Sequence, residues 1–193
     1  MSKKLNLNSD LGESFGAWDM GSDDAMLRIV NSANVACGYH AGDPLVMCKT
    51  TKLAEECGVS IGAHPGYPDL QGFGRRRMDI PLVELEAMLI YQIGALDACA
   101  RSQGGRVTHV KPHGALSNIA CADRKVADAV ARAVAKLDPS LVLLAPSASQ
   151  LVLAGRELNL TIVEEIFADR AYTDDGNLVP RSQPGAMIHG AEA

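Results

Sequence analysis

Short runs of branched apolar residues recur along this chain, each followed by a cluster of glycine and polar residues and then by a stretch with apolar residues at helical spacing. That alternation limits the fold more than any other feature. Continuous Val, Ile and Leu runs separated by amphipathic segments of ten or more residues predict parallel strands, buried on both faces by the helices that connect them. Six strands are legible, at residues 5–10, 33–37, 59–64, 107–111, 141–145 and 160–167. Helices are expected near residues 22–32, from Pro44 to Gly58 with Asp43 as N-cap, over 81–102, and over 123–137. The third carries Leu82, Leu85, Leu89, Ile93 and Leu96 on one stripe.

Length limits how far such a sheet can close. A complete eight-fold (β/α) barrel takes roughly 250 residues, whereas this chain has 193. The expectation is a single α/β domain over residues 1–193, a barrel that is incomplete at its C-terminal side, since no seventh strand is legible after residue 167. Such a barrel should expose apolar edges of its first and sixth strands.

With 47% hydrophobic and 21% charged residues the chain is neither disordered nor fibrous, and with 4% aromatics its core must be aliphatic. A net charge of −5 argues against nucleic acid as a partner. No apolar run approaches a membrane span, and residues 1–8 lack the apolar core of a signal peptide. The five cysteines are scattered and contain no C-x-x-C pair, which suits reduced thiols and a cytoplasmic location.

Ligands of parallel α/β folds bind at the carboxyl ends of the strands, and there the polar residues gather. Strand one ends in Asp10 and Glu13, strand two in His40 and Asp43, strand three in His64, strand four in Lys111 and His113, and strand six runs into Asp169 and Arg170. Residues 109, 111 and 113 share one face if the fourth strand continues, which would aim Lys111 and His113 at one cavity and leave His109 a layer deeper as a packing residue. Asp10 and Glu13 read either as a base with an electrostatic partner, as two metal ligands, or as loop caps. A desolvated Lys111 needs a carboxylate, from Asp10, Glu13 or Asp169. Asp43 is better explained as a cap. The 16 residues from 65 to 80 form a loop long enough to be functional, in which Arg75 and Arg76 are either anion-binding groups or a solvated charge run.

No phosphate loop, dinucleotide fingerprint, nucleophile elbow or H-E-x-x-H motif is present in these 193 residues. Carboxylate, imidazole and ammonium groups remain, a set suited to water activation at a carbonyl carbon or to metal-assisted hydrolysis.

Residues 5–16, 36–44, 62–76, 110–116 and 165–172 carry Asn8-Ser-Asp10-Leu-Gly-Glu13, Cys37-Gly-Tyr-His40-Ala-Gly-Asp43, His64-Pro-Gly, Lys111-Pro-His113-Gly and Phe167-Ala-Asp169-Arg170. Together these segments resemble the LamB/YcsF family. The resemblance implies a distorted (β/α) barrel related to the seven-stranded glycoside hydrolase/deacetylase type, here lacking its C-terminal strand. It also implies a hydrolase of cyclic amide C–N bonds, opening 5-oxo-L-proline to L-glutamate with ATP handled by or with two partner subunits. In that setting Asp10 or Glu13, with or without His64, would act as base, while Lys111 and His113 would stabilise the oxyanion or protonate the leaving nitrogen. His40, Arg75, Arg76, Asp169 and Arg170 would bind and orient the substrate. The rival readings are a free-standing deacetylase or amidase with a divalent ion on Asp10, His40 and His64, and a non-catalytic protein for binding or assembly.

Overall fold

The computed structural model describes residues 5–174, 176, 178–181 and 183–189. The elements are β1 (Asn8–Leu11), α1 (Asp23–Met26), β2 (Ser32–Ala36), α2 (Pro44–Glu56), β3 (Ser60–His64), α3 (Leu82–Ser102), β4 (Val107–Val110), α4 (Gly114–Ala122), α5 (Arg124–Leu137), β5 (Val142–Pro146), α6 (Gln150–Glu157) and β6 (Ile162–Glu165). All six strands pair in parallel in chain order, β1 through β6.

The sheet is strongly curled. Laid flat, β1 and β6 would stand five strand spacings, about 24 Å, apart. Instead Asn8 Nδ2 on β1 lies 3.4 Å from Glu165 Oε2 on β6. No ladder joins these two strands among the described residues, so the sheet is an open half-barrel whose rims meet through side chains. Leu5 and Leu7 ahead of β1, and Val163 and Ile166 at β6, are exposed at those rims.

The aliphatic core lies outside the curl, between sheet and helices. α3 buries Leu85, Leu89, Ile93, Leu96 and Ala100, and α5 presents Ala127, Val130, Ala131 and Val134 to the neighbouring helices. Each Leu or Ile withdrawn from water in this way contributes about 1.5–3 kcal/mol. Asp43 caps α2 by accepting from Leu45 N at 2.8 Å and Val46 N at 3.1 Å, and its other oxygen accepts from Gly16 N at 2.7 Å. The cap therefore also fixes the loop after β1.

One expected helix needs correction, and two further helices are not legible in the sequence. The helix expected near residues 22–32 is a single turn, α1, because Asn31 and Ser32 are drawn into the start of β2. α4 has no charged residue to mark its outer face, and α6 is only eight residues long, so neither stands out as amphipathic sequence. Beyond β6 the chain forms only isolated antiparallel bridges among the described residues, Arg170 with Met187 and Tyr172 with Leu178. No helix among the described residues is long and apolar enough to cross a membrane.

Candidate functional site

The carboxyl ends of the strands deliver their polar residues to one place. His64 is the last residue of β3. β4 formally ends at Val110, but Lys111 N donates to Ala63 O and His113 N to Pro65 O, both at 2.9 Å, so the ladder continues and keeps His109, Lys111 and His113 on one face. His40 arrives from the loop after β2, which bends through positive φ at Gly38 and Gly42. At Gly42 a Cβ would come within 2.8 Å of the carbonyl oxygens of Ala36 and Gly12, so only glycine lets this loop tuck against β1.

Lys111 is buried and forms the centre of the charged half of the site. Its Nζ lies 3.2 Å from Asp10 Oδ1, 3.1 Å from Glu165 Oε2 and 3.2 Å from Asn8 Oδ1. Burial works against its charge, but Asp10 and Glu165 outweigh burial and raise its pKa. Burial likewise opposes the charge on Asp10, and His64, Lys111 and Asn34 outweigh it, holding this carboxyl well below the usual range. Asp10 is thus a carboxylate and Lys111 an ammonium across the physiological range.

Imidazoles make the other half. His64 Nε2 stands 3.3 Å from Asp10 Oδ2 and 2.9 Å from His113 Nδ1. His64 Nδ1 meets Lys111 O at 2.7 Å, and His113 Nε2 meets Phe73 O at 2.8 Å. His40 stacks face to face on His113, with ring centroids 3.7 Å apart. Its Nε2 is 3.7 Å from Glu13 Oε1, and neither of its ring nitrogens has a hydrogen-bond partner. Burial drives His40 down to about 3 and His113 to about 2, keeping both neutral. Burial raises Glu13. One donor atom each from Glu13, His40, His64 and His113 fall within 4.8 Å of one another, a set able to hold a metal ion.

The 65–80 loop roofs the histidines. Phe73 sets its ring edge-on against His40 and His113, and the Arg75 guanidinium lies 5.1 Å over the Phe73 ring. Arg75 also lines a neighbouring cavity of about 420 Å³, together with Asn118, Ser147, Arg170, Tyr172 and Arg181. Burial first, then Arg181, lowers the pKa of Arg75.

Asp10, Glu13, His40, His64, Lys111 and His113 therefore converge, and Arg75 stands beside them. Arg76 does not join them: it turns to pair with buried Asp69 and shapes the loop. Asp169 is exposed. Arg170 spends Nε on Ala186 O and Nη2 on Val179 O, pinning the C-terminal segment while lining the cavity. The carboxylate that reaches Lys111 from the sixth strand is Glu165 rather than Asp169. Glu165 is hidden in the sequence, where the apolar run extends to residue 167 and draws attention past it. Asn8 and Asn34 also belong to the site without having been expected there; they alternate by two with Asp10 and across the β1–β2 register, the signal that would have found them. Asn34 further accepts from His109, which fills the layer beneath the site.

Residues 5–193 match the model of the LamB/YcsF family. A protein of Azoarcus sp. (strain BH72), named as the A subunit of 5-oxoprolinase, is 61% identical over 186 residues, 96% of this chain and 73% of that protein. A Bacillus subtilis (strain 168) protein of the same name is 54% identical over 190 residues, 98% of this chain and 74% of the relative. The crystal structure of a lactam utilization protein from Thermus thermophilus superposes with a TM-score of 0.93 at 46% identity, covering 97% of this chain and 76% of that one. The family model spans residues 5–193, relatives more than half identical cover nearly all of the chain, and the chain belongs to the LamB/YcsF family.

Proposed function

We propose that this chain is the A subunit of a cytoplasmic, ATP-dependent 5-oxoprolinase, working with two partner subunits to hydrolyse the lactam of 5-oxo-L-proline to L-glutamate. The names of its relatives support the substrate. The observation that carries the chemistry is the buried Lys111 ammonium held between Asp10 and Glu165, beside neutral imidazoles. A five-membered lactam is a stable amide, so activation at its oxygen is needed. These 193 residues carry no phosphate loop, and in this reading a partner subunit phosphorylates the lactam oxygen.

On the activated lactam, Asp10 with His64 takes a proton from water as its oxygen bonds to the carbonyl carbon. The C=N electron pair of the activated lactam moves to the ring nitrogen, and Lys111 offsets the negative charge carried by the phosphorylated oxygen. The C–N bond then breaks, the nitrogen leaving with a proton returned through the His64–His113 pair, and a second water releases phosphate from the resulting acyl phosphate. Arg75, which lines the 420 Å³ cavity, holds the substrate carboxylate in this reading.

Glutamate release measured with 5-oxoproline tests this reading. Release is expected only when both partner subunits and ATP are present, and it falls by at least about 100-fold in Asp10→Ala, His64→Ala and Lys111→Ala. Release by the isolated chain without ATP would instead favour a free-standing amidase. Unchanged release in all three variants would point to a protein that only binds substrate or organises its partners.

A further inference from the structure

We propose that Glu13, His40, His64 and His113 form a binding site for one divalent transition-metal ion of the Zn²⁺ class. The first support is the placement of hydrogens. A carbonyl oxygen only accepts, so His64 must donate Nδ1–H to Lys111 O, and His113 must donate Nε2–H to Phe73 O. With both rings neutral, the remaining nitrogens, His64 Nε2 and His113 Nδ1, carry lone pairs, yet they face each other at 2.9 Å with Asp10 Oδ2 3.3 Å from His64 Nε2. Two acceptors at that distance repel unless a positive centre lies between or beside them.

His40 supplies an independent observation. It is fully buried, and neither of its ring nitrogens finds a partner. Buried polar atoms in folded proteins are almost always satisfied, so an orphaned imidazole at a convergence of donors indicates a missing ligand. The fold makes room for this ring: a Cβ at Gly66 would stand 2.8 Å from His40 Nδ1, and one at Gly74 would stand 2.7 Å from His40 Cβ and 2.8 Å from His113 Cδ2. With the Nδ1 side closed by Gly66, Nε2 is the atom turned toward Glu13 Oε1, at 3.7 Å.

Three imidazoles and one carboxylate are the donor set of zinc-type sites, whereas magnesium and calcium require oxygen ligands. Ligating histidines also characteristically donate their second nitrogen to a carbonyl, as His64 and His113 do here. The set differs from Asp10, His40 and His64, the donors of the free-standing amidase reading, because Asp10 Oδ1 is engaged by Lys111 and Asn34. The site rests on geometry and not on the 5-oxoprolinase reading; an ion held there would take up the His64 and His113 lone pairs and leave Asp10 as the base in that reaction.

The test uses the full chain, stripped with chelator and titrated with Zn²⁺ alone in equilibrium dialysis. Cys48→Ser and Cys99→Ser provide a background free of the neighbouring thiol pair. One equivalent is expected, with affinity lowered at least about 100-fold in His40→Gln, His113→Gln and Glu13→Gln and unchanged in His189→Gln. Glu13 is the most accessible of the four, so Glu13→Gln keeps the test decisive if a histidine variant fails to fold. Co²⁺ in place of Zn²⁺ should give the visible absorption of a four-coordinate N₃O site. Absence of stoichiometric binding, or binding indifferent to all three variants, would overturn the site and leave a shared proton between His64 and His113.

Discussion

Lys111→Met should expose how the half-barrel holds its two rims together. Methionine keeps the length of the side chain but removes the ammonium that Asp10, Glu165 and Asn8 share and that lies 5.1 Å from the Phe167 ring centroid. The Lys111 and Glu165 side chains are 7% and 6% exposed, so their pair is shielded from water, whereas Asp10 at 37% can be hydrated. Breaking a buried pair by removing one partner costs about 3–5 kcal/mol, and an exposed pair is worth about 0–1 kcal/mol. Glu165 thus dominates, and we expect urea denaturation at pH 7.5 to show a loss of about 3–4 kcal/mol. Replacing both partners, Lys111→Met with Glu165→Met, removes the stranded carboxylate and should return to within about 1 kcal/mol of the native chain. The double-mutant cycle therefore carries a coupling of about 3 kcal/mol. A single-variant loss under about 1 kcal/mol, or a double variant as unstable as the sum of the singles, would refute the reasoning.

Burial, followed by Lys111 and His64, depresses His109 to about 4, so it stays neutral in the fold while the unfolded chain binds a proton below about pH 6.5. Stability from this residue is complete above that pH and is lost as pH falls; at pH 5 the loss is about 2 kcal/mol, and His109→Gln should remove that part of the acid sensitivity in paired denaturation curves at pH 8 and pH 5. A native-minus-variant difference that is equal at both pH values would contradict this. At Gly62 a Cβ would overlap the His109 ring, so Gly62→Ala should cost about 1–3 kcal/mol by calorimetry, and His109→Ala in the same chain should recover part of it. Cys48 and Cys99 Sγ lie 3.0 Å apart between α2 and α3. Burial pushes the Cys99 thiol up to about 11, so treatment with diamide at pH 9 should be slow but should remove two of the five titratable thiols; retention of all five would argue that the helices hold the pair too rigidly to bond.

The strand order and the site's location are legible in the sequence because both follow from periodicity: continuous apolar runs mark buried strands, and the carboxyl end of each is where a polar residue costs least. Spacing alone places Lys111 and His113 on one face. Pairing across the curl is not legible in this way. Glu165 reaches Lys111 only because β6 swings round to β1, a consequence of sheet twist summed over six strands that no local window contains. Arg76 departs from expectation for the opposite reason, a short-range one: Asp69 lies seven residues earlier in the same loop, and its buried carboxylate captures the guanidinium. The stacking of His40 on His113 likewise depends on positive-φ turns that sequence places only roughly.

These pairings bear on why the half-barrel is stable at all. The interior of a closed (β/α) barrel is ordinarily filled by layers of Val, Ile and Leu. Here the inward positions of β1 to β4 are Asn8 and Asp10, Ser32 and Asn34, Gly62 and His64, and His109, with Lys111 continuing the row. An interior of this kind contributes little through apolar burial, so cohesion must come from the helix layer outside the sheet, where α3 and α5 bury their aliphatic faces. The interior is then free to be specified by hydrogen bonds and charge, provided each group is matched: Asn34 to Asn8, Asp10 and His109; Lys111 to Asp10 and Glu165. In such a network one unmatched group costs more than one matched pair gains. That asymmetry gives weight to the buried atoms left unmatched among the described residues, both ring nitrogens of His40 and the second carboxylate oxygen, Oε1, of Glu165.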